Sequence, residues 1–222
     1  MRLTVGTELL AQALLFDMDG TLIDSRVNVE RIWKEWCDAH KVDFSQVLPH
    51  LHGVRLADSV RRFTPPGYDV EQEIATLYRL ELVHTDGIVP INGAKDLLAA
   101  LPSERWTIVT SADQELARVR LDAAGIPVPP RMVGGDDVTR GKPDPQGYLE
   151  GARRLNSQPA QTLVFEDAAA GIAAGRAAGA RVIALATGHA GEIPEGVEWI
   201  PDLSALQVTG HDAGGVRLRV VA

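Results

Sequence analysis

The sequence has little cysteine. Its 222 residues include a single one, Cys37, so no internal disulfide can form. Disulfides form in oxidising compartments and are rare in the cytosol, and we therefore expect a cytoplasmic protein. We also expect no signal peptide, because Glu8 comes just before a short apolar run that has no small-residue cleavage site.

Two further shortages exclude classes of partner. No apolar run approaches the roughly 18 residues that a membrane-spanning helix needs. Lys and Arg number 22 against 30 Asp and Glu, which gives a formal charge of −8. A nucleic-acid-binding surface needs a basic face. We therefore expect neither a membrane nor a nucleic acid as partner, and we expect a monomer.

What the sequence does have is an acidic turn after a short apolar run, in the stretch LLFDMDGTLIDS at 14–25. The apolar residues 14–16 predict a strand buried on both faces, as in parallel sheets, whose carboxyl ends bind ligands. Asp17 and Asp19 follow at once. At ~4 Å and an effective dielectric near ~20 two such charges repel by about 4 kcal/mol. The pair therefore needs a cation, a shared proton or both.

Three interpretations of this pair are open. The acids could simply be solvated at a strand end beside a glycine turn. A calcium-binding loop that begins at Asp17 is excluded, because Leu22 stands where that loop needs Gly and Asn28 where it needs Glu. The third interpretation is a nucleophilic carboxylate with a partner acid and a hard metal ion.

Residues 24–87 have a helical pattern. In the first helix apolar residues recur at i, i+3, i+4, i+7 and i+8 and form one stripe, made of Val29, Ile32, Trp33, Trp36 and Cys37. Ser25 can cap this helix. Further helices are predicted at 44–51, 56–63 and 70–84. We interpret 24–87 as a compact helical-bundle cap inserted after the first strand.

From residue 92 onward helices and strands alternate. Helices are predicted at 94–101, 114–124, 146–155 and 168–178, and strands at 106–109, 131–133, 162–165, 181–185 and 198–200. This alternation predicts an α/β fold with a doubly wound parallel sheet, built from 1–23 and 88–222.

Three smaller features complete the predicted core. Gly171, Gly175 and Gly179 recur every four residues and give one helix a thin face for close packing on the sheet. Residues 206–209 and 216–221 are expected to form a C-terminal hairpin. Residues 1–13 are either a disordered lead or a small edge element.

Polar residues follow three of the predicted strands. They are Asp17 and Asp19 after the first, Thr110 and Ser111 after the strand at 106–109, and Glu166 and Asp167 after the strand at 162–165. The carboxyl ends of parallel strands meet at one edge of a sheet, so we expect one shared crevice. Asp17 and Asp167 can share a Mg²⁺ there, since this ion prefers oxygen ligands. The Thr110 hydroxyl and the Ser111 backbone N–H suit a phosphate oxygen.

A fourth polar element is the turn around Lys142. Gly141 lets the backbone approach closely, and the following prolines stiffen the turn. A lysine held in this way is a point charge for a phosphate, although a solvated surface lysine is the alternative. The turn is not a Walker loop, because Asp136 replaces its first glycine and Pro143 replaces its Ser or Thr.

These motifs resemble the haloacid dehalogenase superfamily. The likeness runs from about residue 14 to 186 and rests on four ordered motifs, FDMDGTLIDS, VTS, GKPDP and VFEDAAAGIAAGRAAG. The helical insertion is similar to the C1 cap of that superfamily. Finer features are similar to its sugar-phosphatase branch, which includes 2-deoxyglucose-6-phosphate and glycerol-phosphate phosphatases. They are WKEW, LHGVR, DGIVPINGA and DVTRGKPDPQGYLEGARRL.

The resemblance implies a Mg²⁺-dependent phosphomonoesterase that hydrolyses small sugar or polyol phosphates. It assigns Asp17 as the nucleophile that forms an aspartyl-phosphate and Asp19 as the general acid and base. Mg²⁺ would be held by the Asp17 side chain, the Asp19 backbone carbonyl and Asp167. Glu166 would lie next to the metal ligands without binding the ion directly, or would hold a metal-bound water.

In the same resemblance Thr110, Ser111 and Lys142 would hold the transferring phosphoryl group and offset its charge. One position departs from the branch, which commonly has Gly after VTS, where this chain has Ala112 and Asp113. Asp113 is expected to cap the following helix, or else to alter the fit of the substrate.

Two related activities fit the residues less well. Dehalogenases of the superfamily lack an acid two residues after the nucleophile, because a halide leaves without a proton, and Asp19 therefore favours phosphoryl transfer to water. The β-phosphoglucomutase branch places a cap histidine twelve residues after the nucleophile, where this chain has Val29. A hexose-phosphate mutase and a non-catalytic sugar-phosphate-binding scaffold stay as alternatives.

On the cap, His52 and Arg55 are candidates for binding sugar hydroxyls or are solvated surface side chains.

Overall fold

A central parallel sheet organises the molecule. The computed structural model describes residues 1–187 and 193–222. The strands in this part of the chain are β1 Glu8–Ala11, β2 Ala13–Phe16, β3 Ile23–Asp24, β4 Val89–Pro90, β5 Trp106–Ile108, β6 Thr162–Glu166, β7 Arg181–Leu185, β8 Glu198–Ile200, β9 Leu206–Asp212 and β10 Gly215–Val220. Five of them form the sheet in the order β5-β2-β6-β7-β8, and every neighbouring pair is parallel.

Eight α-helices are described in the same stretches, and the last four of them cover the two faces of the sheet. They are α1 Arg26–His40, α2 Phe44–Val47, α3 Leu56–Phe63, α4 Val70–Val83, α5 Ala94–Ala100, α6 Gln114–Ala124, α7 Gln146–Arg154 and α8 Ala169–Ala177. The predicted α/β fold with a doubly wound parallel sheet is confirmed. Because the five strands are parallel, their carboxyl ends all lie at one edge of the sheet.

Strand β2 shows how the sheet separates two apolar layers. Its alternate side chains point to opposite faces, as strand geometry requires. Leu14 and Phe16 pack in the layer that contains α5 and α6, and Leu15 packs in the layer that contains α7 and α8. All three side chains are fully buried, which explains why the strand reads as a continuous apolar run.

Two predictions for the core were wrong. Residues 131–133 do not form a strand, because only Val133 is paired, in a single bridge to Val109 just after β5. Gly179 does not belong to the close-packed helix face, since α8 ends at Ala177 and Gly179 follows with φ of +82°. The other two glycines do pack as expected. A Cβ on Gly175 would lie 2.8 Å from a Val182 methyl group on β7.

The chain ends form a separate antiparallel sheet with the order β1-β10-β9. The predicted C-terminal hairpin is confirmed, and β1 pairs with its second strand. Of the two alternatives for residues 1–13, the edge element is therefore correct. Leu9 of β1 and Leu218 of β10 are buried in the same apolar layer as β2.

Helices α1 to α4 carry an apolar cluster of their own, as the helical pattern of this segment predicts. The predicted stripe of α1 is buried in it, and Cys37 is a core residue of this cluster. The segment is entered through β3 and left through β4, which pair as a short antiparallel ribbon, Ile23 with Pro90 and Asp24 with Val89. The domain division into 1–23 with 88–222 and 24–87 stays a prediction.

Within the two described stretches, none of the helices has the length and apolarity to cross a membrane.

The close approach of α8 to the sheet can be tested with Gly175→Val. The added side chain must displace Val182 or Val164, and overpacking of this kind destabilises a protein by about 1–3 kcal/mol. Ala173→Val is the matched control, since Ala173 is exposed on the same helix, and its effect should stay within about 0.5 kcal/mol. Urea unfolding measures both, and equal effects would contradict the described packing.

Candidate active site

Three strand ends meet in the middle of the parallel sheet. Strands β5, β2 and β6 are neighbours, with Phe16 level with Ile108 on one side and with Phe165 on the other. The residues after these positions therefore leave the sheet at one level. The predicted convergence of Asp17 with Glu166 is confirmed by their shared partner, the ammonium of Lys142.

Lys142 is buried between two carboxylates. Its Nζ donates to Oδ1 of Asp17 at 2.5 Å and to Oε1 of Glu166 at 2.6 Å. Its side chain is only 6% exposed, so the solvated alternative for this lysine is wrong. A buried charge needs such partners, because leaving it unpaired costs several kcal/mol.

Glu166 has both carboxylate oxygens occupied by protein donors. Oε1 accepts from Lys142 and from the Tyr148 hydroxyl at 2.8 Å. Oε2 accepts from the backbone N–H groups of Asp167 and Ala168 at 3.0 and 3.1 Å. Helix α8 leaves room for this carboxylate because residue 171 is glycine, where a Cβ would lie 1.6 Å from Oε1. Glu166 therefore accepts four hydrogen bonds from protein donors, and one of these donors is Lys142.

The crowding of carboxylates shifts their protonation equilibria. The pKa of Asp17 is raised to about 8, chiefly by burial and then by the charge of Glu166, while Lys142 opposes the shift. The pKa of Asp167 is raised well above its usual value by burial and by the same glutamate. Burial alone would lower the pKa of Lys142, but the charges of Asp17 and Glu166 raise it. The cluster therefore has more negative charge than one ammonium offsets.

The donor set of this cluster fits a hard divalent cation. Carboxylate oxygens of Asp17, Glu166 and Asp167 lie within 4.8 Å of one another. Among the described residues, Oδ1 of Asp167 is buried without a hydrogen-bond partner, which is costly unless something else binds it. Gly20, with φ of +84°, leaves the space beside that carboxylate open. Since the oxygens of Glu166 are occupied, Asp17 and Asp167 are the side chains suited to Mg²⁺.

Asp19 lies beside this cluster but has different partners. Its Oδ1 accepts from the Ser25 hydroxyl at 2.5 Å, and its Oδ2 accepts from Nη1 of Arg120 at 2.9 Å. The expectation that Ser25 caps α1 was wrong, because its side chain makes this contact instead of a capping bond. The predicted metal contact of the Asp19 backbone carbonyl stays a prediction.

Arg120 is the residue that the sequence reasoning missed. It lies on the buried face of α6 together with Leu116 and Leu121. An arginine within an apolar stripe is a signal that could have been noticed, because a buried charge implies a partner. Its second partner is Glu81 on α4, at 2.9 Å from Nη2. Burial raises the pKa of Glu81 although Arg120 opposes the shift.

A cavity of about 200 Å³ lies between the helical segment and the core. Asp17, Asp19, Thr110 and Ser111 line it on the core side. Lys142 contacts the cavity-lining residue Asp17. The hydroxyl of Thr110 accepts from the backbone N–H of Ala112 at 3.1 Å, and that of Ser111 donates to the carbonyl of Gly53 at 3.1 Å.

The candidate substrate residues of the cap also line this cavity. Nε2 of His52 lies 3.2 Å from Glu30, and Nε of Arg55 donates to Asp58 at 2.9 Å. Asp113 caps α6 by accepting from the N–H of Leu116, which confirms the first of its two expected roles. It also accepts from the Tyr78 hydroxyl of α4 at 2.9 Å.

The fold and the site together define a protein with a parallel-sheet α/β core, an acidic centre at the carboxyl edge of the sheet and a helical cap above it. A family model described as a hydrolase, haloacid dehalogenase-like hydrolase, matches residues 11–179. The chain belongs to the haloacid dehalogenase-like hydrolase family, as its motifs imply.

Relatives within this family include named phosphatases. Hexitol phosphatase A of Escherichia coli (strain K12) is 40% identical over 178 residues, which cover 78% of this chain and 82% of that protein. The 2-deoxyglucose-6-phosphate phosphatase 1 of Saccharomyces cerevisiae is 31% identical over 238 residues, with 96% of each chain covered. Both are phosphoric-monoester hydrolases by name.

Solved structures show the same fold. The β-phosphoglucomutase of Clostridium difficile superposes with a TM-score of 0.75 at 21% identity, covering 89% of this chain and 93% of the other. At this identity the likeness shows the fold alone.

The raised pKa of Asp17 predicts how stability changes with pH in EDTA. The folded protein holds this proton up to about pH 8, whereas an unfolded Asp loses it near pH ~4, so stability falls as the pH rises between these values. Asp17→Asn has no such proton to lose. The free energy of unfolding of Asp17→Asn minus that of the wild type should therefore increase by on the order of 1 kcal/mol from pH 6 to pH 9.

Urea unfolding in EDTA at both pH values measures this difference. Asp122→Asn, which changes an exposed carboxylate on α6, should follow the wild-type slope. If Asp17→Asn also followed that slope, the carboxylates would not be crowded as described.

Proposed function

We propose that the protein is a Mg²⁺-dependent phosphomonoesterase that hydrolyses small sugar or polyol phosphates. One observation carries this proposal. Asp17 contacts Lys142, lies within ligand distance of Asp167 and borders the cavity. A carboxylate that contacts a cation, lies near a second acid suited to a metal ion and borders an open cavity is suited to attack phosphorus, which supports Asp17 as the nucleophile. The named activities of the relatives support this substrate class.

In the first step Asp17 attacks phosphorus and the bond between phosphorus and the sugar oxygen breaks. The electron pair of that bond goes to the leaving oxygen, and Asp19 supplies a proton to it. We assign Lys142, Thr110 and Ser111 to binding the phosphoryl group and offsetting its charge. The contact of Lys142 with Asp17 at 2.5 Å and the position of Thr110 and Ser111 at the cavity support this assignment. A divalent cation held by Asp17 and Asp167 would supply positive charge against these anions.

In the second step the carboxylate of Asp19 takes a proton from water, and the water oxygen attacks phosphorus. The bond between phosphorus and Asp17 breaks, which restores the carboxylate and releases inorganic phosphate. The cap helices cover the cavity and limit the access of bulk water. His52 and Arg55 are the cap residues that we assign to the sugar or polyol portion of the substrate.

Hydrolysis is favoured over mutase chemistry by the apolar side chain at position 29. Val29 borders the cavity, at the sequence position where the mutase branch has its histidine. The Ser25 hydroxyl and the Arg120 guanidinium hold Asp19, and we assign this carboxyl group to proton transfer with the sugar oxygen and with water. The proposal includes a cytoplasmic monomer that has neither a nucleic acid nor a membrane as partner.

The decisive assay measures phosphate release from sorbitol 6-phosphate, glycerol 1-phosphate and 2-deoxyglucose 6-phosphate, with and without Mg²⁺. We expect release that requires Mg²⁺, and we expect Asp17→Asn to reduce it to background because the nucleophile is lost. Circular dichroism should show that this variant is folded. Hydrolysis of 4-nitrophenyl phosphate by Asp17→Asn would exclude Asp17 as the nucleophile.

The same assay separates the rivals. A mutase would convert the sugar phosphate into an isomer without free phosphate. A non-catalytic scaffold would release none from any substrate, whether or not Mg²⁺ is present.

Asp167 and Glu166 should respond differently to mutation. Asp167→Asn removes a charged cation ligand and should raise the Mg²⁺ concentration for half-maximal activity by about 10-fold or more. Glu166→Gln is the matched control, since the oxygens of Glu166 serve Lys142, Tyr148 and the backbone. It should raise the Mg²⁺ concentration for half-maximal activity by less than Asp167→Asn does. Titration of activity with Mg²⁺ measures both. Equal shifts in the half-maximal Mg²⁺ concentration would contradict the assignment of Asp167, and not Glu166, as the cation ligand.

A further inference from the structure

Asp19 is held through both of its carboxylate oxygens. The Ser25 hydroxyl donates to Oδ1 at 2.5 Å and Arg120 donates to Oδ2 at 2.9 Å. Ser25 lies just before α1 and Arg120 lies on α6. Two donors from different elements fix the plane of a carboxyl group, whereas one donor leaves it free to rotate.

Arg120 is itself shared between the core and the cap. Its Nη1 is bound to Asp19, and its Nη2 donates to Oε2 of Glu81 at 2.9 Å. The side chains of Arg120 and Glu81 are 8% and 3% exposed. Removing one member of a buried ion pair strongly destabilises a protein, because the other member is left as an uncompensated buried charge. The chain from Asp19 through Arg120 to Glu81 is therefore a rigid connection between α6 and the cap helix α4.

We propose that Arg120 is a positioning residue for Asp19, and that Glu81 ties this position to the closed cap. The inference rests on the proposed function, in which Asp19 protonates the leaving oxygen. A general acid must lie within hydrogen-bond reach of the oxygen that it protonates. Asp19 would meet that condition only while α4 is seated on the core, because Glu81 then fixes the other half of the Arg120 guanidinium.

This role makes a specific chemical demand. When phosphorus is transferred to Asp17, a polyol oxygen leaves as a strongly basic alkoxide unless it receives the proton of the Asp19 carboxyl group. A 4-nitrophenolate needs no such proton. A misplaced Asp19 should therefore impair transfer from a polyol phosphate far more than transfer from an aryl phosphate. A merely structural ion pair would impair both alike.

The test compares kcat/KM for sorbitol 6-phosphate and for 4-nitrophenyl phosphate at saturating Mg²⁺. The main variant is Arg120→Met with Glu81→Gln, which removes the bridge without leaving a buried charge on α4. We expect the ratio of kcat/KM for sorbitol 6-phosphate to kcat/KM for 4-nitrophenyl phosphate to fall by about 10²-fold, which is the scale of general acid catalysis. Glu81→Ala, which leaves Arg120 on Asp19 but cuts the contact with the cap, should lower the ratio in the same direction by less.

Arg118→Met is the matched control, because Arg118 lies on the exposed side of the same helix and donates a hydrogen bond to Gln114 at 3.3 Å. It should leave the ratio unchanged. If the double variant does not fold, Arg120→Lys keeps the charge but lacks the fork that bridges two carboxylates, and it should lower the ratio as well.

The outcomes are distinct. An equal loss for both substrates would overturn the positioning role, and an unchanged ratio in Glu81→Ala would overturn the link to the cap. A wild-type protein that releases no phosphate from either substrate would instead refute the proposed function.

Discussion

The site depends on one buried ammonium group between two carboxylates. Lys142 contacts Asp17 and Glu166 at 2.5 and 2.6 Å, and without it two buried anions would face each other. Its position follows from the packing of α8, where Gly171 leaves room for the Glu166 carboxylate. The close packing of α8 on the sheet thus positions Glu166. Glu166 in turn positions Lys142, and Lys142 orients the proposed nucleophile Asp17.

A second cation performs a similar task for a different acid. Arg120 bridges Asp19 and Glu81, as Lys142 bridges Asp17 and Glu166. The first bridge crosses from core to cap, and the second stays within the core. The proposed nucleophile is therefore held by the core alone, whereas the proposed acid is held by core and cap together. An acidic chain with a formal charge of −8 thus has two buried cations that each contact a pair of carboxylates.

Much of this arrangement was predictable, because it follows from local rules. Three buried strands end in polar residues, and parallel topology forces such ends to one edge. The errors have equally physical causes. Residues 131–133 lie beyond the edge of the sheet and have only one bridged residue, which an apolar pattern does not reveal. Ser25 has a typical capping position, but the Asp19 carboxylate competes for its hydroxyl.

The sequence by itself determined the family, the α/β order, the cap and the acids, since strand ends, helix stripes and turn motifs depend on neighbours along the chain. Only the tertiary structure decided that Arg120 joins Asp19 to Glu81, and that both oxygens of Glu166 are occupied. These contacts join residues 101, 39 and 24 positions apart. Their distances are set by how α4, α6 and α8 pack on the sheet, and packing geometry is not encoded in any local pattern.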